Sequence, residues 1–439
     1  MEMNRFTQIR TSFWFIPLLY GTIALFLAYF SMELDRYASN HTALYDVIPD
    51  LFLSDVQLAQ TILSSIATSL LTMTTITFSS ILVVLTTYAA QFSPRALQNF
   101  TSDKSSQRVL GMFTGGFVYT IILLLLVRDQ KGDLFIVPAL AILVAFACIA
   151  AFVYFIHHSV TSIKVSNLIF QITSKTMKAW QEVYDTDKKL NAQQHSKEAA
   201  ALHPDEALQL KSKKAGYIQH FEIEELIKSA KLAHAAVRID NKLGSYVDKG
   251  TPLFTIWSAK ELSENEENEL LKHAVIISEQ EPIKDVGFGI QKLSEIAIRA
   301  ISPAFNDPYT TANAVEHISR VLTRLGKSYL PSPYYLDNTQ SLRLIYHRPS
   351  FEDLLYKSFY LIKHYGKEDT AVMHSILTAL TAAAEQNSDG VKKVIWNYSC
   401  SILEGLRDVE WNSYDKRYLD DQFQLLAEAC GSRNEFNGI

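Results

Sequence analysis

Residues 61–80 read TILSSIATSLLTMTTITFSS, with eleven Ser or Thr in twenty positions and no charge. They sit inside an uncharged run of 39 residues from Val56 to Pro94, bounded by Asp55 and Arg95. A membrane's hydrocarbon core, about 30 Å thick, needs roughly 20 helical residues. As one helix the run would be about 58 Å long at 1.5 Å per residue, so it must tilt, break or project beyond the bilayer. At about 100° per residue, Thr61, Ser64, Ser65, Thr68, Thr72, Thr75 and Ser79 fall within about 60° of one line. Gln57 and Thr86 extend that line in both directions. A hydroxyl in a membrane helix can donate to the carbonyl one turn back, so single hydroxyls tolerate lipid. A one-sided row needs a further cause. One is close helix packing, which small polar residues allow. The other is a water-filled path in an oligomer, where hydroxyls replace part of an ion's hydration. The two are compatible, because a closed pore is also a packed interface.

Three more apolar segments flank this run, at about Phe13–Met32, Val109–Val127 and Phe135–Ile156. The first is too long for the apolar core of a cleavable signal, and no small-residue cleavage site follows it. Arg5 and Arg10 precede the first span, and the second loop carries Arg95, Lys104 and Arg108. The first loop is acidic, with Glu33, Asp35, Asp46, Asp50 and Asp55 against Arg36. The positive-inside rule then places both termini in the cytoplasm and the first loop outside. The third span opens GMFTGGFVY, and Gly111-xxx-Gly115 fits a close-packing seam. No Asp, Glu, Lys or Arg lies mid-span in any segment, unlike the usual proton-coupled carrier or pump.

The hydroxyl-rich run ends in AAQFSPRALQNF. Ser93 before Pro94 is a helix cap followed by proline at the first helical position, and Pro94 disfavours helix at Ser93. This predicts a break, then a short amphipathic helix. Ser93, Pro94 and Arg95 would form an interfacial elbow or an inner mouth or gate.

Beyond residue 160 the chain becomes charged and helix-rich. The stretch FIHHSVTSIKVSNLIFQITSKTMKAWQEVY contains no Pro or Gly and reads as one helix leaving the membrane, followed by a polar linker. Residues 213–260 then change period. Strand signals flank a helical stretch, Ile223 to Ala230, and Gly244, Val247, Gly250, Pro252 and Leu253 resemble the hairpin of barrel-sandwich hybrid domains. The exposed modified lysine of a biotinyl or lipoyl carrier is not recognisable, which favours a small rigid β-module. Helical spacing returns in KDVGFGIQKLSEIAIRAI, and SPAFNDPYTT follows. There Asp307 caps a helix with Pro308 first, beside Asn306 in a tight turn. The corner is either structural or an anion-holding helix start that Arg299 completes.

The chain has 439 residues and a formal charge of −5, which with no basic aromatic stripe excludes general nucleic-acid binding. Cys148, Cys400 and Cys430 show neither pairing nor metal spacing, as in a reducing compartment. Phosphate-binding glycine loops, nucleophile elbows, metal motifs and supported catalytic carboxylates are not recognisable. The expectation is a non-enzymatic protein without cofactor or metal.

TMTTITFSSILVVLTTYAAQFSPRALQNF and RVLGMFTGGFVYT resemble the bacterial predicted membrane proteins grouped as domain of unknown function 2254. AGYIQHFEIEEL, VDKGTPL, FGIQKLSEIAIRAISPAFNDPYTTANAV and HRPSFEDLL continue the resemblance in order. It implies a membrane protein with a cytoplasmic C-terminal part and brings no activity.

The expected fold is an α-helical integral membrane domain of four transmembrane helices with a cytoplasmic α+β region. Its parts are a membrane domain at 1–160, a helical extension and polar linker at 161–212, a small β-module at 213–260 and a mainly helical domain at 261–439. The expected function is a homo-oligomeric ion channel or pore in the bacterial inner membrane. Thr61, Ser65, Thr68, Thr72, Thr75, Ser79 and Thr86 would line the path, and the partners would be lipid, inorganic ions and further copies of the chain. The alternative is a non-conducting membrane-anchored sensor or scaffold whose cytoplasmic domain binds a partner.

Overall fold

A computed structural model describes residues 14–39, 52–91, 104–127, 135–162, 164–190, 196–200, 207–278, 285–328 and 333–439, with isolated positions between these ranges. The chain divides into two compact units, Met1–Asn167 and Leu168–Ile439.

Among its described residues the first unit contains four helices long and apolar enough to cross a membrane: α1 (Phe15–Ser39), α2 (Val56–Gln91), α3 (Lys104–Leu126) and α4 (Val137–Ser162). Without Pro or Gly, the hydroxyl-rich run stays helical for 36 residues. Ser93, Pro94 and Arg95 lie outside the described residues. Three glycines make α3 the hub. A Cβ at Gly111 would meet the Tyr20 ring at 3.1 Å, and one at Gly115 would meet the Tyr20 carbonyl oxygen at 3.1 Å. The Gly-xxx-Gly seam therefore seats α1 at close range. A Cβ at Gly116 would lie 3.0 Å from Cys148 Sγ and 3.2 Å from Leu70, so α4 and α2 press there too. Ala24, Ala28, Ala59, Leu63, Tyr119 and Leu123 fill the buried core.

Two polar ties cross this core. The hydroxyls of Ser31 and Tyr119 share a hydrogen bond of 3.0 Å. The Ile136 amide donates to Asp35 Oδ1 at 2.8 Å. Sequence spacing puts Glu33 and Asp35 in the first loop, whereas both lie in the last turns of α1. No breaker stops the helix there, and Arg36 pairs with Glu33 at 2.8 Å across one turn.

The second unit takes in most of α5 (Val165–Lys189). The predicted single helix through 155–184 is instead interrupted, because α4 ends at Ser162 and Lys164 is not helical. The local run of Ser, Thr and β-branched residues weakens helix there. Then come α6 (Lys197–Ala200), β1 (Leu208–Lys211), β2 (Gly216–Phe221), α7 (Ile223–Leu232), β3 (Ala235–Ile239), β4 (Tyr246–Val247) and β5 (Pro252–Ser258). Next are α8 (Glu264–Lys272), β6 (Ala274–Ile277), α9 (Val286–Ala300), α10 (Pro308–Ser328), β7 (Tyr334–Leu336) and β8 (Leu342–Ile345). The chain ends in α11 (Phe351–Gly366), α12 (Thr370–Glu385), α13 (Asp389–Arg407), α14 (Ser413–Cys430) and a final 3₁₀ turn.

The strands form a five-stranded sheet, β1-β5-β3-β8-β7, and a three-stranded sheet, β4-β2-β6. The β-region thus reaches beyond 213–260 on both sides. β1 comes from the stretch read as linker, and β6, β7 and β8 from the mainly helical stretch, in which LRLIYHRPS reads as a short strand and forms β8. Val237 lies opposite Leu344 in the parallel β3–β8 pair, and both are fully buried. That pairing covers an edge β3 would otherwise expose. The segment predicted to fold as a hairpin divides between the sheets: β4 pairs with β2, and β5 with β1 and β3. Gly244 and Gly250 make the intervening turns with positive φ of 79° and 96°.

Helices α9 to α14 build a second core around Ile290, Leu293, Ile318, Leu322, Ile376 and Leu380. Helix α5 packs on this unit through small and hydroxyl side chains. A Cβ at Gly289 would overlap Thr176, and His317 Nδ1 shares a 2.9 Å hydrogen bond with Thr173 Oγ1.

Candidate functional site

Helix α2 has two unlike faces. Ala59, Leu63, Ala67, Leu70, Thr77 and Ile81 are buried in the first unit. Thr61, Ser65, Thr68, Thr72, Thr75, Ser79 and Thr86 are all exposed on the single chain. The 3.6-residue repeat produces this separation: the hydroxyls recur at intervals of three or four, and the small and apolar residues do so on the opposite side. Large apolar side chains, among them Leu71, Ile76 and Phe78, are exposed beside the hydroxyls.

All of these exposed hydroxyls but Ser79 commit their protons within the helix. Thr61, Ser65, Thr68, Thr72 and Thr75 donate to the carbonyls of Gln57, Thr61, Ser64, Thr68 and Leu71 at 2.8 to 2.9 Å. Thr86 donates to Val83 at 2.9 Å. With its proton donated, each oxygen still has lone pairs to offer outward. The face presents acceptors and no net charge. Ser64, Ser65, Thr68, Ser69 and Thr72 line a shallow furrow along the middle of the helix. Thr75 and Ser79 lie further along, in a more apolar groove that Leu18, Gly21 and Leu110 also line. The predicted row is therefore continuous along the helix, while its surroundings change.

Thr77 is the exception among these hydroxyls. It is fully buried, and its Oγ1 has no hydrogen-bond partner among the described residues.

The corner at 299–308 is a close-set turn. The Asp307 amide donates to the Ala300 carbonyl at 2.8 Å, and Asn306 holds a left-handed φ of 47°. Asp307 caps α10 by accepting from the Thr310 amide at 3.0 Å and its hydroxyl at 2.6 Å. Those bonds, the Thr310 hydroxyl first, hold the Asp307 carboxyl below its usual range. Pro308 is the first residue of α10, as the sequence predicts. The Arg299 guanidinium lies 5.6 Å from the Phe305 ring centroid. The Thr310 amide, a first-turn donor an anion would use, is already taken by Asp307. No group of three or more His, Cys, Asp or Glu among the described residues is placed to hold a metal.

Four apolar helices precede an α+β unit, with QFSPR and AFNDP in order along the chain, and residues 10–382 match the family described as predicted membrane protein, DUF2254. The chain belongs to the DUF2254 family. The uncharacterized protein Mb1321c of Mycobacterium bovis and the uncharacterized protein Rv1290c of Mycobacterium tuberculosis are each 27% identical to this DUF2254 member over 344 residues. The match covers 76% of this chain and 66% of each relative, so the chain spans just under two thirds of their length. No solved structure matches it.

One feature of this family member has no local signal in the sequence. A cavity of about 470 Å³ in the second unit collects residues from 179 to 357, among them Trp180, Lys242, Asp285, Arg348 and Lys357. The fragment HRPSFEDLL supplies part of it.

Proposed function

We propose that the chain forms a homo-oligomeric, ion-conducting pore in the bacterial cytoplasmic membrane, with the hydroxyl face of α2 lining the path. The observation that carries this is the separation of α2 into a buried apolar face and an exposed row of hydroxyls, most of whose protons are spent internally. A row of unspent acceptor oxygens substitutes for part of a cation's hydration shell. One copy leaves the row on its outer surface, so enclosing it takes further copies. Both termini and residues 168–439 lie in the cytoplasm, by the charge bias of the flanking loops. The second unit regulates the path, and the role is transport without catalysis.

The acceptor-only lining predicts a preference for cations. Purified protein in a planar bilayer with a potassium chloride gradient should show a reversal potential shifted toward that of potassium. Thr72→Val, which removes the hydroxyl at nearly constant shape, should reduce the current. A strictly monomeric particle in detergent, with no current at any voltage, contradicts the proposal and leaves the row as a packing surface of a sensor or scaffold.

A further inference from the structure

The cavity in the second unit is walled by α5 through Trp180, by β2 through Phe221, by the N-terminal turns of α9 and α11, and by Tyr346 just after β8. Trp180, Phe221 and Tyr346 are buried aromatic surfaces lining it. Its volume of about 470 Å³ falls in the range typical of small-molecule sites, roughly 300–1,000 Å³.

The charges of this cavity are unevenly committed. The Asp285 carboxylate accepts from the Phe288 amide at 3.1 Å. Asp353 accepts from the Ser350 amide and hydroxyl, each at 2.7 Å. Glu224 pairs with Lys189 at 2.9 Å. Arg348 is paired with Asp187, which also accepts from the Tyr335 hydroxyl at 2.8 Å. Lys242 and Lys357 line the same space, and neither ammonium has an ion-pair partner among the described residues. Exposed Glu182 is the remaining uncommitted carboxylate. Burial pushes the half-buried Lys357 ammonium down; attraction from Asp285 and Glu295 opposes this, and a smaller repulsion from Lys242 adds to it. Gly287, in the first turn of α9, keeps the space open. A Cβ there would lie 3.0 Å from Asp285 Oδ2 and 3.6 Å from Lys357 Nζ.

We propose that this cavity binds an organic phosphate bearing a flat aromatic group, of nucleoside monophosphate size, with the phosphate between Lys242 and Lys357 and the ring against Trp180 and Tyr346. Lysine ammonium groups bind phosphate as point charges, and an aromatic wall takes a base by stacking. Helix α5 forms one wall, so an occupant touches the helix that follows the last apolar span in the sequence. Binding is independent of whether the chain conducts.

Titration calorimetry on the full chain in detergent tests this, with AMP, adenosine, ribose 5-phosphate and short-chain phosphatidylglycerol as probes. AMP should bind, and adenosine and ribose 5-phosphate should each bind at least roughly tenfold more weakly. Lys242→Gln and Lys357→Gln should each weaken AMP by roughly tenfold or more, and Lys272→Gln, outside the cavity, should not. Without ligand, Lys357→Gln should melt at or above the parent temperature, since it removes a desolvated cation; a lower melting point would mark Lys357 as structural and count against the site. Absence of AMP binding, equal binding by the lysine variants, or preference for phosphatidylglycerol would overturn the proposal, the last by assigning the cavity to a lipid headgroup.

Discussion

Thr77 and Thr72 have the same side chain on one helix and opposite surroundings. Thr72 donates to Thr68 at 2.9 Å and is exposed, whereas Thr77 is buried with its oxygen unpaired. A buried unsatisfied hydroxyl costs about 1–3 kcal/mol, so Thr77→Val should raise thermal stability by about 1 kcal/mol in detergent. A loss of stability would mean that Thr77 has a partner. Asp307 makes a different argument, because its carboxylate is the cap of α10. Asp307→Ala should cost about 0.5–2 kcal/mol at neutral pH. The folded carboxyl titrates below its unfolded value of about 3.9, so the cap's contribution is complete above that value and is lost as pH falls through the folded one. The gap in melting temperature between the parent and Asp307→Ala should therefore narrow from pH 5 to pH 3. A gap independent of pH would show that the charge plays no part.

Helix packing in both units depends on single small residues. At Gly289, a Cβ would overlap Thr176 Oγ1 and approach its Cγ2 to 2.7 Å and its Cβ to 2.8 Å. Gly289→Ala should therefore destabilise by about 1–3 kcal/mol, the usual range for overpacking. Thr176→Ala removes two of these three contacts, so the double variant should recover part of the loss by thermal melting. Additive losses would show that α5 and α9 do not meet there. This contact was not legible in the sequence, because Thr176 and Gly289 belong to helices far apart in the chain. What was legible is local. The four spans, the cap at Asp307 and the hydroxyl row of α2 all follow from periodicity, charge and turn chemistry within one segment. The sheet order was not, because Val237 pairs with Leu344 across more than a hundred residues and no local pattern records a partner. The α4–α5 interruption is hidden for another reason: the segment holds no Pro or Gly, and a run of Ser, Thr and β-branched residues weakens the helix instead.

The molecule joins four apolar helices to an α+β unit, and its hydroxyl row lies on the outer surface of one copy. Lipid against that row would leave the helix stable, because the protons are already donated inside it. What lipid does not explain is why the row keeps to one side for seven turns. The hydrated path proposed between copies accounts for it, a dry packing seam would too, and water access separates the two. The most direct measurement places single cysteines at Ser65, Thr68, Thr72, Leu70 and Thr77, in a chain lacking Cys148, Cys400 and Cys430, and reacts them in membranes with a membrane-impermeant thiol reagent. Thiolates form where water reaches, so reaction reports hydration. Labelling is expected at Ser65, Thr68 and Thr72, with none at Leu70 and Thr77. Row positions as unreactive as Leu70 would contradict it.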